Sequence, residues 1–314
     1  MMRWPMHPEL IEGERLSSWL RRIGMNYGVS VDELLKSLGF EGLKASHVDV
    51  KAPGALIRII SERTGVSVAA VRVTTFAGAF PKRLLRKLPL ARGEPRFLSV
   101  LWEKPKRRNG RPGEIRWIRR EGGARFTACR ECLGDYPNAG VMLAWRLGVV
   151  LSCPIHQILL EPAEVEGTTI IWLREHSAAA PALVSRQDSR NHSALLEGFV
   201  ELPGEIIGDE QWYRLLSAIF QELEHSVDVQ NTERWNWQRE IWGKAEYLPR
   251  EFGELFEFDL RCAKLVATAI DQIEKEHIFP TGTEGVTFIN RESERWKAIR
   301  KQQAASAKSR ELYY

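Results

Sequence analysis

A mainly α chain is predicted by three observations. Near the N-terminus, Leu16, Trp19, Leu20 and Ile23 recur at i, i+3, i+4 and i+7, which places them on one face of a helix. In the C-terminal half, two longer stretches carry a similar stripe: residues 211–227 through Trp212, Leu215, Leu216, Ile219, Phe220 and Leu223, and residues 255–276 through Leu260, Leu265, Ala269 and Ile273. Between these regions lie two close pairs, Cys129 with Cys132 and Cys153 with His156, which hold three of the four cysteines in the sequence. The expected architecture is an N-terminal helix-turn-helix region (1–80), a basic segment leading into a central Cys3His zinc ribbon (81–165), a C-terminal helical domain (166–290) and a basic, helix-prone tail (291–314).

The N-terminal helices are punctuated by glycine and serine. A helix starting near Arg15 is stopped at Gly28. Ser30-Val-Asp-Glu33 then has the form of a capping box, in which hydroxyl and carboxylate satisfy orphan amides at a helix start, so a second helix runs from about Val31 to Ser37 and ends at Gly39. A third segment, Ala55 to Arg63, closes at Gly65, and Val66-Ser67-Val68 opens a fourth. The phrase Tyr27-Gly-Val-Ser-Val31 reappears as Thr64-Gly-Val-Ser-Val68, 37 residues later, so the pattern of helix, glycine and capped helix is used twice. Helices in this arrangement often read DNA. The second helix, however, carries Asp32 and Glu33 beside Lys36, a poor recognition face, and a protein contact fits the region equally well.

Charge is unevenly spread. The net charge is +4, yet Pro81 to Arg130 contains sixteen Lys and Arg against four Glu, so the rest of the chain is net acidic. Within that segment Lys104, Lys106, Arg107, Arg108, Arg111, Arg116, Arg119 and Arg120 alternate with Trp102 and Trp117. Cations release counterions on binding phosphates and aromatic rings stack on bases, which makes these residues the candidate contacts to DNA or RNA. A solvated linker whose aromatics cover the metal module is the competing reading.

The metal module follows. Its ligand pattern is C-x2-C, twenty residues, then C-x2-H, and each pair can present two ligands from one turn. Four such ligands close a tetrahedral shell around one Zn2+, leaving no position for water or substrate, so the ion is expected to be structural. The alternative is a set of buried thiols or a disulfide; two pairs at ligand spacing among so few cysteines favour the metal. Cys262, in a helical stretch, is expected to pack in the core. Trp145, Arg146 and Leu147 precede the second pair and provide an aromatic lid for a thin core. Residues 161–208 mix short apolar runs with polar loops. Trp235, Trp237 and Trp242 are expected to pack in a core or an interface.

A length of 314 residues suits two or three small domains. No run approaches eighteen apolar residues and the N-terminus lacks an apolar signal region, so neither a membrane contact nor export is expected, and free thiols suit the cytoplasm. Signatures of nucleotide hydrolases, serine hydrolases and zinc peptidases are absent, and His7, His47, His176, His192, His225 and His277 have no partner pattern that marks a catalytic base.

Two blocks carry a resemblance to a known family. Glu14-Arg-Leu-Ser-Ser-Trp-Leu-Arg-Arg22 resembles the L-S-S-W-L-x-R signature of the TniQ family of transposon target-selection proteins. The series Cys129-Arg-Glu-Cys-Leu133, Trp145-Arg-Leu147, Cys153-Pro-Ile-His156 and Leu159 is similar to that family's C-x-x-C-L, W-R-L and C-P-x-H-x-x-L order. The likeness covers about the first 160 residues. Longer members continue into a further Cys pair, which is missing from Glu161-Pro-Ala-Glu-Val-Glu166, so one zinc is expected. The resemblance implies a non-enzymatic adaptor in the bacterial cytoplasm, at the nucleoid. Such a protein joins a targeting element, either DNA itself or a CRISPR RNA-guided effector complex, to an AAA+ regulator of the TnsC type. The alternative is a TnsD-like protein that reads an attachment site directly. Homodimerisation is left open.

Overall fold

The computed structural model describes residues 3–80, 125–166, 169–224 and 260–275. Helix α1 spans Leu16–Asn26, and its expected stripe of Leu16, Trp19, Leu20 and Ile23 is fully buried. Ser17, Ser18 and Arg22 are buried as well, so α1 is enclosed more completely than an amphipathic helix requires. Helix α2 (Val31–Ser37) starts at the expected capping box: Ser30 Oγ accepts from the Glu33 amide at 3.2 Å, and Glu33 accepts from the Ser30 amide at 2.8 Å. Short α3 (Ala45–Lys51) was not foreseen by periodicity. Helix α4 (Gly54–Thr64) ends at Gly65, whose φ of 80° is the left-handed cap that only glycine adopts without strain. Helix α5 (Val68–Val73) restarts at Ser67, which accepts from the Ala70 amide at 3.1 Å, and α6 (Phe76–Ala79) is capped by Thr75. Both copies of the repeated phrase therefore act as stop and restart. Helices α1 to α5 enclose a core that includes Leu16, Trp19, Leu20, Leu35, Val48, Leu56, Ile60 and Val71.

The chain then enters an antiparallel three-stranded sheet in the order β1 (Arg125–Ala128), β2 (Glu161–Glu166), β3 (Thr169–Trp172). A β4–β5 hairpin (Phe199–Leu202 and Glu205–Gly208) follows helix α7 (Ala182–Leu196). Helix α8 (Asp209–Glu224) overlaps the expected 211–227 stretch but starts at Asp209, before it, and helix α9 (Leu260–Lys275) lies within the expected 255–276 stretch. α8 buries Trp212, Leu215, Leu216 and Ile219, and α9 buries Ala263, Val266, Ala267, Ala269 and Ile270.

The mainly α expectation is met in part: helices predominate among the described residues, but five strands accompany them. The largest addition is α7, in a stretch that reads as loops and short apolar runs. Its inward face is polar, with Ser185, Gln187, Asp188 and Asn191 buried beside Val184, Ala194 and Leu195, so no apolar stripe announces it. A second core joins Phe76 and Phe80 of the first region to Phe126, Leu143, Trp145 and Leu147, and onward to Trp212, Tyr213 and Ile270. Among the described residues no helix is long and apolar enough to cross a membrane. The basic segment, Trp235, Trp237, Trp242, the side chain of Cys262 and the tail 291–314 lie outside the described residues.

Candidate metal centre

Each half of the centre is positioned by local backbone pairing. Cys129 directly follows β1, and the Leu133 amide closes the first turn by donating to the Cys129 and Arg130 carbonyls at 3.2 Å. The second turn is a tight reversal. The Cys153 amide donates to the Ile158 carbonyl at 2.9 Å, the Gln157 amide donates back to the Cys153 carbonyl at 2.9 Å, and Gln157 adopts a φ of 53° at the bend. Ser152 bridges Leu159, and the Leu160 amide donates to the Leu151 carbonyl at 2.7 Å. Because Ala128 pairs with Glu161 across β1 and β2, both turns are brought to the same end of the sheet.

The four side chains converge there. His156 Nδ1 lies 3.4 Å from Cys129 Sγ, 3.3 Å from Cys132 Sγ and 3.7 Å from Cys153 Sγ; Cys132 and Cys153 sulfurs are 3.6 Å apart, and all four ligand atoms lie within 4.8 Å of one another. A tetrahedral zinc with bonds of about 2.3 Å to sulfur requires sulfurs separated by about 3.8 Å. The spacing fits. The three cysteines are free thiols, so no disulfide competes for them.

Electrostatics point the same way. Hydrogen bonds from Cys129 and Cys132 draw Cys153 far below the ordinary thiol range. Cys132 is pushed up through its hydrogen bonds with Cys129 and Cys153. For Cys129, a hydrogen bond with Cys132 favours the thiolate, but a hydrogen bond with Cys153 and burial outweigh it and push the thiol up to about 11. Three sulfurs crowded into one small space thus shift one another in opposite directions. A divalent cation removes that conflict, since coordinated thiols ionise outright. The four residues would hold one zinc, whose chemistry at a closed shell is to cross-link the two turns.

Polar side chains from distant helices fix the centre in place. Asp188 of α7 accepts from the Leu151 amide (3.0 Å), the Ser152 amide (2.7 Å) and Ser152 Oγ (2.6 Å), directly before Cys153. Asn191 donates to the Val149 carbonyl and accepts from Trp212 Nε1 at 3.0 Å, tying α8 to the same turn. Arg130, within the first turn, pairs with buried Glu161 at 3.0 Å, donates to the Arg174 and Glu175 carbonyls and stacks 5.0 Å over the Trp172 ring.

The segment between the ligand pairs docks on the start of α1. The Arg15 amide donates to the Val141 carbonyl at 3.0 Å, the Val141 amide to Ser18 Oγ at 2.9 Å, and the Leu143 amide to the Gly13 carbonyl at 2.8 Å. The approach is close enough that a Cβ on Gly140 would stand 2.8 Å from the Glu14 side chain. Beneath it, Asp49 of α3 gathers both sequence motifs. It accepts from the Ser17 amide and hydroxyl at 2.7 Å each and from Arg146 at 3.2 Å, and its carboxylate lies 3.7 Å from Arg15 Nε. Arg146 also donates to the Ser46 carbonyl at 2.7 Å.

All four expected ligands are therefore brought together. The eight basic residues from Lys104 to Arg120 lie outside the described residues. Sequence reasoning missed Asp49, Asp188 and Asn191. An acid set between Val48 and Val50 was the available signal for the first. For the others it was the spacing of Val184, Asp188, Asn191 and Leu195 on one helical face. Comparison with curated proteins and with solved structures finds no match. The TniQ family model matches residues 5–160, the span that holds the buried α1 motif, Asp49, the docked segment and all four metal ligands, and the chain belongs to the TniQ family.

Proposed function

We propose that this protein is a non-enzymatic adaptor of transposition target selection, holding a targeting complex on one surface and an AAA+ regulator of the TnsC type on another. The family's role is associated with transposition, as adaptor or DNA-binding protein. The observation that carries the adaptor reading is the closed Cys3His arrangement: its four ligands face one another, and the polar groups around it are engaged in holding backbone. Such a centre serves as a rigid joint between helical surfaces that are free to meet proteins. A CRISPR RNA-guided effector is the targeting complex this reading favours. The segment with Lys104, Lys106, Arg107, Arg108, Arg111, Arg116, Arg119 and Arg120 is the proposed contact to its nucleic acid.

Binding of the zinc-loaded full chain to random-sequence and genomic duplex DNA, at a stated physiological salt concentration, tests the reading. Weak, unselective binding together with co-purification of an AAA+ ATPase is expected. Tight, sequence-selective binding by the protein alone would replace the adaptor with a direct reader of an attachment site.

A further inference from the structure

The twenty residues between Cys132 and Cys153 are tied at both ends to the metal centre and in the middle to α1. Most of their apolar side chains, among them Val141, Leu143, Trp145 and Leu147, are buried. Their backbone pairs with Gly13, Arg15 and Ser18, and Arg146 reaches Asp49. Ser18 Oγ in turn donates to Glu14 at 2.7 Å, and Glu14 lies 3.5 Å from Arg22. The first turn of α1 is thus seated by the loop at Arg15 and Ser18, by Asp49 at Ser17 and by the Thr74 carbonyl, which accepts from the Leu16 amide at 3.0 Å. The two ends of the loop are the ligand turns, the second also held by Asp188. Asp49 is not a ligand and belongs to neither sequence motif, yet it joins Arg15 and Ser17 of one to Arg146 of the other.

We propose that metal loading and the seating of α1 are one coupled equilibrium, transmitted through residues 139–147 and Asp49. Zinc fixes both ends of the loop and so positions its middle to receive α1. By linkage, the buried Asp49 network then strengthens zinc binding by the factor through which zinc secures the network. Loss of metal releases the start of α1 while the α4–α5 pair, which the loop does not touch through these bonds, keeps its packing.

The proposal rests on the zinc reading of the four ligands, so metal content of the full chain is measured first; a chain that binds no zinc ends both ideas. With zinc bound, affinity is read by competition with a chromophoric chelator for wild type, Asp49→Asn, Ser18→Ala and Leu35→Ala. Leu35 is a fully buried member of the same N-terminal core with no part in the network, and it reports what general destabilisation does. Asp49→Asn is expected to weaken zinc about tenfold and Ser18→Ala about threefold, with Leu35→Ala within twofold of wild type; tenfold corresponds to about 1.4 kcal/mol. Ser18→Ala decides the matter if Asp49→Asn does not fold. Hydrogen exchange before and after chelation supplies the reverse arm. The amides of Arg15, Val141 and Leu143 should accelerate ahead of those in α4. Unchanged zinc affinity in folded Asp49→Asn and Ser18→Ala, an equal loss in Leu35→Ala, or exchange that rises uniformly across the chain would each overturn the coupling.

Discussion

The two cores of this protein are built by opposite means. The N-terminal core draws its buried apolar residues from a short span, Leu16 to Val71, and α2, α4 and α5 around it each carry their own start or stop signal. The second core runs from Phe76 to Ile270 and is assembled by long-range polar contacts: Asp188 to Ser152, Asn191 to Trp212, Arg146 to Asp49, and the four ligand atoms. Local chemistry closes the first region. The second depends on a few buried groups, so single substitutions should affect it more severely.

The most damaging change should be Cys129→Ser. Structural zinc contributes on the order of 10 kcal/mol in small metal-folded modules, so the variant should lose its metal and the packing of the second core. Metal analysis and near-UV circular dichroism check this, and a metal-free protein with native packing would erase the contrast between the cores. Next comes Asp188→Asn, which exchanges a buried carboxylate bonded to three donors for a weaker acceptor. A loss of about 2 kcal/mol in denaturant unfolding is expected, measured at the transition of the second core.

Smaller effects sharpen the picture of the first core. Ser30→Ala should cost about 1 kcal/mol through loss of an N-cap. Ser67→Ala should cost less, because Ala70 offers no reciprocal carboxylate where Glu33 does. Equal losses would show that the reciprocal half of the box is idle. The smallest expected effect is a pH slope. Burial pushes the Glu14 carboxyl above its ordinary value of 4.5, against the opposing pull of Arg22 and Ser18. A raised carboxyl favours the fold in its protonated form. Its contribution is full below the unfolded value and is lost as pH rises through the folded one. Glu14→Gln should flatten that decline in a series of denaturation curves begun at pH 4.5 and stepped upward.

What could be read from the sequence follows the same division. The stripe of α1, the Ser30 box, the Gly65 cap and the ligand spacing are all short-range patterns, and the structure bears each of them out. What could not be read is held by distant partners. Among the described side chains of α3, Val48 and Asp49 alone are buried, and Asp49 gains meaning only once Ser17 and Arg146 arrive. α7 presents a polar inner face, which hydrophobic periodicity cannot flag. β2 begins with Glu161, an acid buried because Arg130 meets it, so its alternation does not look like that of a strand.

Asp49 also bears on how this sequence can change over generations. A carboxylate shared by Arg15, Ser17 and Arg146 cannot be replaced singly without leaving a buried guanidinium short of its counter-charge. Drift at this position is therefore confined to joint replacement with its partners. In relatives that keep the Ser-Ser-Trp and Trp-Arg-Leu motifs, an acid at the site corresponding to Asp49 should persist as strictly as the motifs themselves.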